Sequence, residues 1–337
     1  MILSPRLLIC AAVLLAGCQS ASSGGERGAS GGSAGGTGGQ SGQGGGSLGV
    51  GGQGGMPGSG GRGGMPGSGG RGGSPAGGGQ GQGGAPGSGG QGVGGQGGKA
   101  LKLPTANAPF DYQIGGAYPP PAGVAIVSRD RGDAPATGLY NICYVNGFQI
   151  QSGEEATWMS QHADLILVDG QGKPVVDPDW NEMLIDTSTA AKRDALLKVI
   201  GPWIDGCAAK GFDAVEIDNL DSYSRSKGLL TEDANVAFMA ALSARAHAVG
   251  LAAGQKNAAE LVPRATALGT DFAVVEECNR YDECDGFKTA YAARVFVIEY
   301  RRQDFDKGCA NEPDLSIVLR DVDVSKPGSS KYVFDGC

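Results

Sequence analysis

From Ser22 to about Gly98 the chain consists mostly of Gly, with Ser, Gln, Ala and Pro, and this tract decides how much of the protein can fold. Too few apolar side chains are present to offset the entropy of ordering the backbone, so the tract is expected to be disordered. A nine-residue unit, Gly55–Gly63, repeats at once as Gly64–Gly72. Glycine does not hold every third position, which excludes a collagen helix. A flexible chain of this size spans roughly 45 to 50 Å root-mean-square. The sequence therefore divides into 1–17, 18–102 and 103–337, and a single folded domain is expected in the last of these.

Residues 1–17 read as an export signal: Arg6, an apolar run from Leu7 to Leu15, then Ala16 and Gly17 ahead of Cys18. The run is too short to span a bilayer. Leu15-Ala16-Gly17-Cys18 resembles the bacterial lipobox, which implies that Cys18 is lipidated and becomes the mature N-terminus. Gln19 and Ser20, where an aspartate would retain such a protein at the inner membrane, point to the outer membrane or cell surface. The expectation is an exported lipoprotein, joined to the membrane through its anchor, with the glycine-rich tract as spacer.

Of 27 basic and 35 acidic residues, six and one respectively lie in the first 102, so the remainder carries a net charge near −13. Such a domain repels nucleic acid and attracts cations. Eight cysteines are present, of which Cys10 would leave with the signal and Cys18 take the lipid. An even number then remains in an exported chain, which argues for disulfides. Cys278 with Cys284 and Cys309 with Cys337 are the expected pairs, each closing a local loop or pinning the C-terminus; the pairing of Cys143 and Cys207 stays open. Zinc would compete for these thiols, but His162 and His247 have no ligand-like spacing to them, and no metal or cofactor is expected.

Within 103–337, short apolar runs recur: Tyr112–Ile114, Val124–Val127, Leu139–Val145, Met183–Ile185, Ala214–Ile217, Leu251–Gln255, Phe272–Val275, Val295–Ile298 and Ser316–Leu319, with Leu165–Val168 as a further candidate. Continuous apolar runs are how buried parallel strands read. Helical patterns lie between several of them, at Ala190–Ala209, Glu232–Val249 and Ala258–Leu268. Thr231 is the expected N-cap of the second, and Gly250 closes it. The alternation favours an α/β fold, a (β/α)8 TIM barrel, over an all-β sandwich. There are more strand candidates than eight, so one or two must be edge or loop segments.

The strands end in polar residues: Asp186 after Ile185, Asp218 and Asn219 after Ile217, Lys256 and Asn257 after Gln255, Glu276 and Glu277 after Val275, Glu299 and Tyr300 after Ile298, Arg320 and Asp321 after Leu319. In a barrel all of these converge on the C-terminal mouth, where barrel active sites lie. No phosphate loop, dinucleotide fingerprint or metal motif is present, and neither histidine has a setting that suits a Ser/His/Asp triad. Carboxylates are the available acid–base groups, and two of them suffice for glycoside hydrolysis without a cofactor. In Asp213–Asn219, strand alternation puts Glu216 and Asp218 on one face with Asp218 nearer the open end, which leaves Glu216 as a buried, hydrogen-bonded support.

Four linked segments carry a resemblance: Gly211–Asn219 with its Glu216-Ile217-Asp218-Asn219, Gly254–Asn257, Glu276–Cys284, and Val297–Tyr300. Together with Tyr112-Gln113-Ile114 near the start, they resemble in order the endo-α-1,4-polygalactosaminidase family, glycoside hydrolase family 114. The resemblance implies a TIM barrel that cleaves within α-1,4-linked galactosamine polymers; the acidic charge suits a cationic amino-sugar polysaccharide, and a monomer is expected. The resemblance also implies Asp218 as nucleophile and Glu276 as general acid/base, in a retaining reaction. Tyr112, Asp186, Glu216, Asn219, Lys256, Asn257, Tyr281, Glu299 and Tyr300 are the expected substrate-binding residues. The family usually has Gln where this chain has Glu277, which leaves the choice between Glu276 and Glu277 open. A non-catalytic carbohydrate-binding barrel and a hydrolase of another α-linked polysaccharide are the competing readings.

Overall fold

A computed structural model describes residues 101–337. The signal at 1–17, Cys18 and the glycine-rich tract lie outside the described residues. Strands β1 (Phe110–Gln113), β2 (Ile126–Asp130), β3 (Tyr140–Asn146), β4 (Ala214–Asp218), β5 (Ala252–Lys256), β6 (Phe272–Glu276), β7 (Val295–Glu299) and β8 (Ser316–Arg320) are parallel to their neighbours in sequence order, and a short β9 (Phe334–Gly336) runs antiparallel on β8. Around them lie α1 (Glu155–Gln161), α2 (Ala190–Lys210), α3 (Ser222–Arg225), α4 (Glu232–Ala248), α5 (Ala265–Leu268), α6 (Cys278–Tyr281), α7 (Cys284–Tyr291) and α8 (Arg302–Asn311). The expected α/β barrel is present.

No backbone ladder joins β8 to β1, and side chains hold this seam instead. Ser316 Oγ donates to Ala108 O at 2.7 Å, and Arg320 Nη1 lies 3.0 Å from Asp111 Oδ1, with both partners wholly buried. β9 takes up hydrogen-bonding groups of β8 that a closed barrel would give to β1, and the Cys309–Cys337 disulfide ties its end to α8. Cys278–Cys284 forms as expected, and the remaining two cysteines form Cys143–Cys207, which fastens β3 to α2.

Period-two alternation divides the strands into two sets. One set, including Phe110, Ile126, Ile142, Ala214, Phe272, Val274, Phe296 and Val318, fills the barrel interior; the other, including Val145, Val215, Ile217, Val275, Val297 and Ile317, meets the helices. Gly254 faces inward by the same alternation, and the Phe272 ring takes the space of its missing side chain: a Cβ there would lie 2.6 Å from that ring.

The expected strand Met183–Ile185 is not a barrel strand. With Leu165–Val168 it makes isolated antiparallel bridges in an excursion between β3 and α2, where Leu184 joins a small apolar cluster with Leu167, Val175 and Leu230. Its neighbours Met183 and Ile185 pack instead into the large core cluster between strands and helices. The expected helix Ala258–Leu268 is a 3-10 turn over Ala259–Arg264 followed by α5; Pro263, which lacks an N–H, interrupts it. The other two helices form as read: Thr231 accepts from Ala234 N, and Gly250 follows the C-cap with φ 84°. His247 on α4 pairs with Asp271 at 2.8 Å.

Candidate active site

The inward positions of β4, β5 and β6 end in Asp218, Lys256 and Glu276, so alternation alone brings one base and two acids to the same tier of the mouth. Lys256 is almost wholly buried, and its ammonium lies 3.0 Å from Glu276 Oε2 and 3.4 Å from Asp218 Oδ2. Asp218 also accepts from Tyr144 Oη at 2.9 Å and from the Asn219 backbone N–H at 2.8 Å. Glu276 accepts from Asn257 Nδ2 at 2.8 Å and from the Tyr300 hydroxyl. The two acid side chains retain 16% and 23% exposure, so both are open to a ligand while Lys256 lies beneath them.

Each of these strand ends is followed by a residue at positive φ: Asn219 at 66°, Asn257 at 48° and Glu277 at 55°. Asn enters the left-handed region at little cost; Glu does so less readily. Glu277 is held there by its N–H to Ile298 O at 2.7 Å and by a 2.6 Å contact of its carboxylate with Arg280. That geometry separates the two adjacent acids: Glu276 faces Lys256, whereas Glu277 is committed to Arg280.

Burial alone would raise Glu276, but the Lys256 ammonium, aided by Tyr300 and Asn257, outweighs it and holds the carboxyl below the usual range. Burial drives Glu216 the other way, up to about 8, with Asp218 adding to the rise and Lys256 opposing it. Burial opposes the charge on Lys256 too, but its three acidic neighbours raise its pKa. Tyr144 and Tyr300 are raised well above their usual value, first by burial, and remain protonated donors.

Several expected ligand contacts are corrected. Glu216, one inward step below Asp218, and Tyr112, whose register leads through Ser128 and Ile142 to Ala214, are wholly buried and cannot line the pocket. Glu216 is the buried support that its place in the strand implied, with the hydroxyls of Ser128 and Tyr112 beside its carboxyl opposing its rise. Glu299 has the wrong parity. It points out of the barrel toward α6, accepting from Asn279 N at 2.9 Å and Asn279 Nδ2 at 3.1 Å, in a space kept open by Gly308. Asp186 does not end a barrel strand; it accepts from Ser188 and lies 3.6 Å from Lys192 at the approach to α2. Tyr281 is the exposed end of α6, 41% accessible, with Arg280 over its ring. Asn219 is fixed beside Asp218 and donates to Asn146 Oδ1 at 3.0 Å.

Two neighbours of Asp218 were missed. Asn146 ends β3 in register with Asp218 and donates to Glu182 Oε2 at 2.9 Å. Glu182 belongs to the excursion after β3, and burial, with Asp218 nearby, lifts its pKa to about 7. Asn146 could have been found, since it too terminates an apolar run; Glu182 follows no strand and leaves no signal. Among the described residues no group of three His, Cys, Asp or Glu side chains is placed to hold a metal ion.

A parallel barrel with two open carboxylates at its C-terminal mouth carries the acid pair that glycoside hydrolysis uses. The chain belongs to the glycoside-hydrolase family GH114, whose model matches residues 95–336. The fold is similar to that of Aspergillus fumigatus Ega3, solved in complex with galactosamine, with a TM-score of 0.57 at 20% identity over 71% of this chain and 98% of that one. The glycoside hydrolase domain of PelA from Pseudomonas aeruginosa matches with a TM-score of 0.45 at 16% identity, over 67% of this chain and 98% of that one. No curated protein matches the sequence.

Proposed function

We propose that this glycoside hydrolase cleaves within α-1,4-linked galactosamine-containing polysaccharide by double displacement, with Asp218 as nucleophile and Glu276 as general acid/base. The observation that carries the reading is the single ammonium of Lys256 shared by two open carboxylates. The oxygens that contact it can be no more than about 6.4 Å apart, the sum of the two contacts, so both carboxylates can reach one glycosidic bond. The net charge near −13 of the region beyond the first 102 residues favours a polymer whose free amino groups are protonated. Ega3, the similar fold, carries galactosamine in its solved complex.

In the first step protonated Glu276 gives its proton to the glycosidic oxygen while Asp218 attacks the anomeric carbon. In the second, ionised Glu276 takes a proton from the water that displaces Asp218. Esterification removes the charge on Asp218 and leaves Lys256 to Glu276 alone, which favours the base form that this second step requires. Tyr281, exposed on α6, is offered as a stacking surface for a sugar ring.

We further propose that Cys18 anchors the enzyme in the outer membrane or cell surface and that the tract to residue 102 spaces it from the membrane, so that it acts on a matrix that does not diffuse to it. Incubating the purified protein with partly deacetylated polygalactosamine, followed by mass spectrometry, tests the activity. Internal cleavage to a ladder of oligosaccharides is the expected result. Saturable binding with no product would replace it with the carbohydrate-binding reading.

A further inference from the structure

Glu216 is placed as if to join the reaction, yet is closed off from it. It lies on β4 one inward step below Asp218 and is wholly buried, with only the hydroxyls of Ser128 and Tyr112 beside its carboxyl as uncharged donors. The groups that face it are Tyr112 from β1, Ser128 from β2, Tyr144 from β3, Asp218 on its own strand and Lys256 from β5, with Glu276 of β6 on the far side of Tyr112 and Lys256. The cation in this set is Lys256, and its ammonium is already engaged by Glu276 at 3.0 Å and Asp218 at 3.4 Å.

Three ionised carboxylates around one ammonium would place two net negative charges in the barrel interior. Keeping one proton removes the costlier of them. Asp218 and Glu276 each have three donors, the Lys256 ammonium among them, and partial access to water; Glu216 has no access to water and only the neutral hydroxyls of Ser128 and Tyr112 beside it. The proton therefore belongs on Glu216.

We propose that Glu216 is a positioning residue that stays protonated through the reaction and thereby leaves the Lys256 ammonium to Asp218 and Glu276. Were Glu216 ionised, it would draw Lys256 down into the barrel, away from both acids. The rise of its carboxyl to about 8 agrees with this arrangement. The kinetic consequence rests on Asp218 and Glu276 being the reacting pair; the protonation does not.

The test is E216Q, which keeps the shape of a neutral carboxyl. A carboxyl raised in the folded state stabilises the fold below its unfolded pKa, and that contribution is lost as pH rises toward the folded value. E216Q lacks the loss, so its melting temperature relative to the native protein is expected to rise by about 5 °C between about pH 5 and about pH 8. A fall over the same interval would overturn the proposal, because it would mean that an ion pair had been removed. In kinetics, E216A is expected to lower kcat about 100-fold and E216Q to restore at least about tenfold of that; no restoration would also overturn it. If E216Q does not fold, the infrared carbonyl band of a protonated carboxyl at about pH 7, followed in an E182Q/E299Q background that removes the other two raised acids, decides the point: loss only above about pH 8 supports the proposal, and absence at about pH 7 overturns it. A native protein inactive on the polymer would fail the functional reading and leave the melting result standing.

Discussion

Asn257 and Glu276 bind each other twice: Asn257 Nδ2 donates to Glu276 Oε2, and Glu276 N donates to Asn257 Oδ1, each at 2.8 Å. One amide side chain thus fixes both the backbone and the carboxylate at the end of β6, across the parallel pairing with β5. The positive φ of Asn257 turns its side chain into this clamp. Replacing it with Ala leaves Glu276 held by Lys256 and Tyr300 but free to drift. Steady-state kinetics on N257A should show kcat lowered about 100-fold with KM little changed, as expected when a reacting group moves by about an ångström.

Lys256 sets the charge state of Glu276. With the ammonium in place the acid form is scarce above the acidic range, so kcat/KM of the native protein should decline as pH rises from acid toward neutral. Removing the ammonium in K256M leaves burial to dominate, and the carboxyl rises. The pH profile of K256M should therefore keep its limb but shift it to higher pH, with overall activity lowered by about 100-fold or more. An unshifted limb would show that Lys256 does not govern the general acid.

The seam between β8 and β1 rests on Asp111, which accepts from Arg320 Nη1 at 3.0 Å, Tyr118 Oη at 3.0 Å and Gln113 Nε2 at 2.7 Å. D111A leaves the Arg320 guanidinium buried without its anion. Chemical denaturation should register a loss of about 3 to 5 kcal/mol, against little change for a D306A control on the exposed face of α8.

Much of this site was legible because a parallel barrel turns strand order into spatial order. Once β4, β5 and β6 were recognised from their apolar runs, Asp218, Lys256 and Glu276 followed as their terminal residues. What failed was parity. Glu299 and Tyr300 both follow Ile298, and only the phase of the alternation decides that Tyr300 turns inward to Glu276 while Glu299 turns out to Asn279. Depth failed for Tyr112, which lies wholly buried, whereas the burial of Glu216 beneath Asp218 followed from its place in the strand. Met183–Ile185 misled because an irregular segment that packs on the core from outside the barrel also reads as an apolar run, and that error carried Asp186 with it. Glu182 was invisible because its approach to Asp218 depends on the path of an irregular excursion.

If Cys18 carries the lipid anchor, C18A should move the protein from the membrane fraction to the medium with its specific activity intact. Fractionation and assay of both pools check this. Protein that stays with the membrane would contradict the anchor, and released but inactive protein would mean that the anchor does more than position the enzyme.

The central claim is that Asp218 and Glu276 hydrolyse an α-linked galactosamine polymer by double displacement, and proton NMR of the first products tests it most directly. The native protein should release oligosaccharides whose new reducing ends appear as the α anomer before mutarotation, and D218N and E276Q should release none while remaining folded. First-formed β anomer would contradict the double displacement, and native-like rates in both variants would contradict the assignment of the pair.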